Sequence, residues 1–108
     1  MQIDNGPYHL TRDVTTAHLR AVHAYLSEQS YWARGRSFDC VARSLQHSEC
    51  FVVEKEGELA GFARAITDQS TFAYLADVFV LPANRGHGLG KWLIEHIVEH
   101  SELRTLGW

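Results

Sequence analysis

The stretch that decides the fold runs from Asp77 to Leu93 and reads DVFVLPANRGHGLGKWL. It begins with apolar and β-branched residues that are typical of a buried strand, and Pro82 ends that strand because proline has no N–H to donate to a ladder. Glycines follow at positions 86, 88 and 90, and apolar residues then recur at helical spacing. The stretch therefore predicts a strand, a glycine-rich loop and an amphipathic helix in direct succession.

The loop in this stretch has the composition of a phosphate-binding site. Its glycines let backbone N–H groups approach a ligand with no Cβ in the way. The first N–H groups of a helix have no intrahelical partner and carry partial positive charge, which favours an anion there. Arg85 adds a fork of donors that matches phosphate oxygens. The segment from Arg85 to Gly90 is therefore the candidate anion site.

Two better-known phosphate loops do not fit these residues. A P-loop needs a glycine five residues before its Gly-Lys pair, but Arg85 stands there, and Trp92 replaces the required serine or threonine. A dinucleotide loop G-x-G-x-x-G fails because Lys91 occupies the place of its third glycine. A purely structural strand-to-helix turn remains the alternative on spacing alone.

The whole chain predicts several strands and two helices ahead of this stretch and one strand after it. The expected elements are a strand at Tyr8–Leu10, a helix from Val14 that ends between Ser27 and Ser30, a second helix after Ser37, a hairpin of Cys50–Glu54 and Leu59–Ile66, a long strand at Thr71–Leu81, the helix from Leu89 to about His100, and a last strand at Leu103–Trp108. Asp13 and Ser37 are predicted as helix N-caps, because their side chains can accept from exposed N–H groups.

The strand at Thr71–Leu81 is apolar on both faces, which is typical of a strand covered on both sides. Strict alternation places one set of side chains on one face: Phe72, Tyr74, Ala76, Val78 and Val80. The other face then receives Ala73, Leu75, Phe79 and Leu81, with Asp77 as the single charge of the strand.

Composition predicts one globular domain over residues 1–108. The net charge of −3 gives no basic footprint for nucleic acid. No apolar run approaches the roughly 18 residues that span a bilayer, so no membrane partner is expected. The two cysteines have no C-x-x-C spacing and the N-terminus does not resemble a signal peptide, so we expect a cytoplasmic protein with free thiols.

The run Arg85-Gly86-His87-Gly88-Leu89-Gly90 matches the signature R/Q-x-x-G-x-G/A, and the chain resembles the GNAT superfamily of acetyl-CoA-dependent N-acetyltransferases. The lead-in Asp-Val-Phe-Val-Leu-Pro and the order of strand, two helices and three antiparallel strands are similar too. The resemblance implies an α+β fold with a mixed, mainly antiparallel sheet and helices on both faces. It also implies a fold truncated after the pyrophosphate-binding helix.

The resemblance further implies where acetyl-CoA binds. Backbone N–H groups of the loop, including those of His87 and Leu89, would hold the pyrophosphate. The preceding strand would splay at a bulge, so that the backbone of Val78, Phe79 and Val80 pairs with the pantetheine arm. A bulge N–H would also polarise the thioester carbonyl.

Other residues are candidates for the acceptor side of the reaction. In the family, the loop between the first two helices often lines the acceptor site, which here implies Tyr31, Trp32 and Arg34, with Arg36 beside them. Aromatic rings and guanidinium groups suit a flat or anionic acceptor; alternatively, the loop packs its aromatic rings on the sheet. Asp77 is the candidate base that deprotonates the amine. Alternatively, its carboxylate caps a loop or pairs with Arg64.

The family usually continues past this helix, and the part that follows usually supplies a tyrosine that protonates the leaving thiolate. No residue here aligns with that tyrosine, so two functions are expected as alternatives. The chain is either an N-acetyltransferase acting on a primary amine, or a truncated, inactive module that binds CoA or dimerises. A truncated fold leaves the 71–81 strand at a sheet edge, which predicts a homodimer, with Leu103–Trp108 crossing between protomers.

His96, Glu99 and His100 form an H-x-x-E-H pattern that is similar to a zinc-peptidase motif. Two histidines four residues apart share a helix face and suit zinc. Leu93 and Ile97 make the neighbouring face a core face, however, and no third ligand stands out. We therefore expect a solvated helix end and no metal.

Overall fold

The computed structural model describes residues 2–99, so the predicted strand at Leu103–Trp108 lies outside the described residues. The elements in chain order are β1 (Gln2–Asn5), β2 (Tyr8–Thr11), α1 (Thr16–Glu28), α2 (Phe38–Gln46), β3 (Glu49–Lys55), β4 (Glu58–Thr67), β5 (Ala73–Val80) and α3 (Leu89–Val98). A short 3₁₀ turn at Pro82–Asn84 joins β5 to the glycine-rich loop. Among the strands and α-helices within residues 2–99, β1 is the one that the sequence pattern did not predict, and the 3₁₀ turn was predicted only as a loop.

The strands form one sheet in the order β1-β2-β3-β4-β5, and each neighbouring pair is antiparallel. Helix α3 packs on one face through Leu89, Leu93 and Ile97, which join Phe51 and Val53 of β3. Helices α1 and α2 pack on the other face, where their apolar side chains join those of β3 and β4: Val22, Leu26, Val41, Leu45, Val52 and Phe62. The predicted α+β fold, with a mainly antiparallel sheet and helices on both faces, is confirmed; within residues 2–99 every strand pair is antiparallel.

The start of α1 differs from the prediction. Thr15, not Asp13, is the N-cap: its hydroxyl accepts from the His18 N–H at 3.1 Å, and His18 Nδ1 accepts from the Thr15 N–H at 3.0 Å. The Asp13 N–H instead donates to the Thr11 hydroxyl at 3.2 Å. The physical reason is that this reciprocal pair satisfies two backbone N–H groups, whereas a cap at Asp13 would satisfy one. The prediction of Ser37 as the N-cap of α2 is confirmed.

Strand β5 contains a bulge that changes which side chains share a face. Phe62 of β4 pairs with Phe79, but Arg64 pairs with Ala76, so Asp77 and Val78 together face a single residue of β4. Asp77 has a φ of 53°, in the left-handed region. The extra residue inverts the alternation beyond it.

The predicted faces of β5 are therefore wrong. Val78 and Val80 pack against the α3 cluster together with Leu75, which the alternation placed on the opposite face. Phe79 packs with the α1 and α2 cluster. A strictly alternating pattern does not predict a bulge, because the bulge depends on the pairing register between β5 and β4.

The two thiols should differ in reactivity and in their effect on stability. Cys40 is exposed and Cys50 is buried, and both are free. Burial raises the pKa of the Cys50 thiol from 9.0 to about 11. Well below pH 9 the Cys50 thiol is neutral in both the folded and the unfolded chain. Between pH 9 and pH 11 it ionises mainly in the unfolded chain. We therefore expect unfolding free energy to fall by up to about 1.4 kcal/mol per pH unit in that window because of this group.

Urea denaturation from pH 7 to pH 11 measures this dependence. The Cys50→Ala variant should have a shallower loss of stability above pH 9 than the wild type, whereas Cys40→Ala should keep the wild-type slope. A thiol-reactive dye at pH 8 should titrate one thiol in the native protein and two in urea. Equal slopes for the two variants would contradict the burial of Cys50.

Candidate functional site

The open edge of β5 is the first feature of the site, since β5 pairs only with β4 among residues 2–99. The Leu81 N–H donates to the Ala60 carbonyl of β4 at 2.8 Å. Backbone groups alternate in direction along an antiparallel strand, so those of Val80 face away from β4. In agreement, the Val80 carbonyl accepts from Arg85 Nε at 2.9 Å, from outside the sheet. The backbone at Val80 is thus presented at the edge where a ligand could pair with it.

The glycine-rich loop begins directly beyond this edge. Gly86 and Gly88 have φ angles of 87° and 73°, which side chains rarely adopt. A Cβ on either residue would meet nothing within 4 Å among the residues described. Glycine is therefore required here by backbone conformation, and the space above both residues is free for a ligand.

The N-terminus of α3 is uncapped. Gly88 is the N-cap residue, no side chain bonds to the helix start, and the first turn contains no acidic residue. The Trp92 N–H makes the first helical bond, to the Gly88 carbonyl at 3.1 Å. Within residues 2–99, the N–H groups from Gly86 to Lys91 have no hydrogen-bond acceptor. These donors and the helix dipole would favour an anion here, and the role of the loop as a pyrophosphate site stays a prediction.

Arg85 makes contacts that sequence reasoning missed. Its Nε donates to the Val80 carbonyl, and its Nη2 donates to the Tyr25 hydroxyl of α1 at 3.1 Å. The Tyr25 ring stacks on Phe79 of β5, with 4.1 Å between ring centroids. Arg85 thus ties the start of the loop to β5 and α1. Its role as a phosphate ligand stays a prediction, as does that of His87, which is exposed beside Tyr8.

Asp77 is buried at the bulge and accepts three hydrogen bonds. Its Oδ1 lies 2.7 Å from Trp32 Nε1, and its Oδ2 lies 3.1 Å from Arg36 Nη1 and 2.9 Å from Arg64 Nε. Only 2% of its side chain is exposed. The pairing with Arg64, considered above as the alternative, is present. The role of Asp77 as a base stays a prediction, and the three donors favour the structural alternative because they occupy the oxygens that would take the proton.

A cleft of about 460 Å³ lies beside the bulge, on the side of the sheet that α1 and α2 cover in part. It is lined by Trp32, Arg36, Arg64, Ile66, Tyr74, Leu75, Ala76, Asp77 and Val78. Of the predicted acceptor residues, the structure thus brings Trp32 to the cleft. Tyr31 and Arg34 are exposed and do not line it, and Tyr31 at 88% exposure is not packed on the sheet either. Arg36 and Arg64 are the lining cations.

A second depression, of about 500 Å³, lies between the start of α1 and the end of α2. Its lining includes Arg12, whose guanidinium pairs with Glu49, and the buried Cys50. Neither the glycine-rich loop nor the bulge contributes to it. Its position gives it no part in the site described above.

No cluster of three or more potential metal ligands occurs in the part of the chain that the structure describes. His96 and Glu99 are within that part, but His100 is outside it. None of the helices found between residues 2 and 99 has the length and apolar character needed to cross a bilayer.

The sheet, the bulged edge strand and the uncapped helix define the acyl-CoA N-acyltransferase fold. The chain belongs to the acetyltransferase (GNAT) family, whose model matches residues 10–107.

Similar proteins agree with this assignment. A candidate acetyltransferase of Gibberella zeae is 32% identical over an alignment 113 positions long, gaps included, which spans 87% of this chain and 64% of that protein. The crystal structure of a candidate GNAT acetyltransferase from Xanthomonas campestris pv. campestris is 38% identical, with a TM-score of 0.87 over 92% of this chain and 70% of that one. The chain therefore spans just under two thirds of the length of its curated relative.

The fold is also similar to that of N-acetylglutamate synthase from Neisseria gonorrhoeae, solved with coenzyme A and N-acetyl-glutamate. That structure is 22% identical, with a TM-score of 0.64 over 85% of this chain and 22% of that one. At this identity the likeness is one of fold.

Proposed function

We propose that this chain binds acetyl-CoA and transfers its acetyl group to a primary amine. The main support is the juxtaposition of two features: six consecutive backbone N–H groups without acceptors among residues 2–99, and the outward-facing backbone at the end of β5. The free N–H groups suit a diphosphate, and the outward-facing strand backbone suits an arm that contains amides. Coenzyme A contains both groups in that order.

The reaction follows from what the chain can hold in place. N–H groups from Gly86 to Lys91 would bind the diphosphate, and the edge from Val78 to Val80 would align the pantetheine amides. The amine nitrogen attacks the thioester carbonyl carbon, so that a C–N bond forms and the C–S bond breaks. The amine loses a proton and the departing thiolate gains one. A bulge N–H directed at the carbonyl oxygen would stabilise the negative charge that develops there.

For Asp77 we propose a positioning role in this scheme. Its carboxylate fastens the Trp32 indole and the Arg36 guanidinium, both from the loop between α1 and α2, to the bulge of β5. The acceptor cleft and the donor edge are therefore held together by one side chain. The base remains the alternative role for Asp77, and the homodimer through the β5 edge remains a further proposal.

Calorimetry with coenzyme A tests the donor site. We expect binding in the micromolar range, and binding at least about 10-fold weaker for pantetheine, which lacks the diphosphate and so loses the charge-assisted hydrogen bonds. Absence of heat with coenzyme A would refute the donor site. Equal affinities for the two ligands would refute the role of the loop.

Turnover is measured separately, as thiol released from acetyl-CoA in the presence of an amine panel. Release that depends on the amine supports the transferase. Coenzyme A binding without release from any amine would identify the chain as a binding module, which is the alternative function.

A further inference from the structure

The cleft beside the bulge also indicates which amine it accepts. We infer that the acceptor carries a carboxylate close to its amine, together with an apolar side chain, and that Arg36 binds the carboxylate. This inference rests on the proposed transferase function. It concerns the acceptor side of the site, whereas the donor side is defined by the glycine-rich loop.

The first observation is the charge of the cleft. Its lining contains two cations, Arg36 and Arg64, and one anion, Asp77. Both guanidinium groups share the single carboxylate oxygen Oδ2. One positive charge is therefore left over within the lining, and it attracts an anion. A polyamine or another purely cationic acceptor would be repelled.

The second observation separates the two arginines. Arg64 is only 12% exposed and uses two of its nitrogens, Nε on Asp77 and Nη1 on the Ser48 hydroxyl. It is fixed within the protein. Arg36 is 23% exposed and uses Nη1 alone, so that among the described residues its Nε and Nη2 have no acceptor. Arg36 is thus held in position by Asp77 and still has two donors for a ligand.

The geometry of a guanidinium group favours a carboxylate as that ligand. Two N–H donors on one edge of the group match the two oxygens of a carboxylate, and such bidentate pairs combine strength with a fixed orientation. An acceptor held in this way would present its amine in a defined direction. The adjacent bulge is where the donor edge begins.

The third observation is the apolar surface of the same cleft. Trp32, Ile66 and Tyr74 are 40%, 37% and 63% exposed, and all three line it. Ile66 and Tyr74 are direct cross-strand partners on β4 and β5. Large apolar side chains that remain accessible around one cavity favour an apolar ligand group. An amine with a carboxylate and an aromatic or branched aliphatic side chain matches both the positive charge of the cleft and its apolar lining.

Matched pairs of acceptors test the inference directly. Phenylalanine is compared with phenethylamine, and leucine with isoamylamine, because each pair differs only by the carboxylate. We expect kcat/KM for acetyl transfer to be about 10- to 100-fold higher for the carboxylated member, the range expected for a hydrogen-bonded charge pair. Equal values within both pairs, or higher values for the plain amines, would overturn the inference.

Variants identify the residue responsible. Arg36→Gln should reduce the ratio within each pair to about 1, and Arg36→Lys should restore part of it. Arg20→Gln removes an exposed arginine of α1 that does not line the cleft, and it should leave the ratio unchanged. An unchanged ratio in Arg36→Gln would contradict the role of Arg36, because the ratio compares two acceptors with the same protein and a loss of stability affects both alike.

A binding measurement keeps this inference separate from the proposed turnover. The indole N–H resonance of Trp32 reports on the cleft, because that group donates to Asp77. Titration with phenylalanine should shift this resonance at about 10-fold lower concentration than titration with phenethylamine, and Arg36→Gln should remove the difference. A shift with no such difference would refute the carboxylate site even if acetyl-CoA binds. Failure of coenzyme A to bind would refute the donor site alone.

Discussion

Gly88→Asp is expected to weaken coenzyme A binding by about 100-fold or more. Gly88 is the N-cap of α3, and the N–H groups that follow it have no acceptor among residues 2–99. A carboxylate at this position would repel a diphosphate at close range and would compete for the same donors. Calorimetry measures the loss, and the thermal midpoint shows whether the fold persists.

Gly57→Asp is the matched control for this substitution. Gly57 has a φ of 80°, a Cβ there would also meet no described atom within 4 Å, and it lies in the turn between β3 and β4. Both substitutions therefore carry a similar backbone penalty of about 1–2 kcal/mol, but only Gly88→Asp places a charge at the N-terminus of α3. We expect Gly57→Asp to lower stability and leave the coenzyme A affinity unchanged. Equal losses of affinity in both variants would show that the N-terminus of α3 does not bind the diphosphate.

Asp77→Asn is expected to lower the free energy of unfolding by about 3 kcal/mol. The neutral amide can still accept from the Trp32 indole, but it no longer balances the charges of Arg36 and Arg64. Removal of one partner from a buried ion pair leaves the other charge uncompensated, which is more damaging than the loss of an exposed pair. For a domain of this length the thermal midpoint should fall by more than about 10 °C.

Asp39→Asn is the control for loss of a carboxylate. Asp39 is exposed in the first turn of α2, so we expect a change within about 1 kcal/mol. Kinetics separate the two roles considered for Asp77. If Asp77 is the base, Asp77→Asn should abolish kcat and its pH dependence in the protein that stays folded. If Asp77 positions Trp32 and Arg36, the variant should keep the pH dependence of kcat and have a higher KM for the amine.

Local features of the sequence predicted the proposed donor side of the site. Glycines at positions 86 and 88 are required by positive φ angles, and the N–H groups at a helix start are free in any helix without a cap. Both properties depend on a few consecutive residues, so their pattern in the sequence was sufficient to predict them. The β3–β4 hairpin was predicted for the same reason, through the Glu56-Gly57 turn.

Only the tertiary structure decided the cleft that is proposed as the acceptor side. The partners of Asp77 lie 45, 41 and 13 residues away along the chain, and Arg85 reaches Tyr25 across 60 residues. The bulge that turns Asp77 toward those partners arises from the register between β4 and β5. Contacts over such separations depend on how packed elements meet: the sequence offered the Asp77–Arg64 pair as one alternative, but local spacing did not indicate the contacts with Trp32 and Arg36. The sequence alone therefore predicted a loop for a diphosphate, while the charge and walls of the cleft required the folded chain.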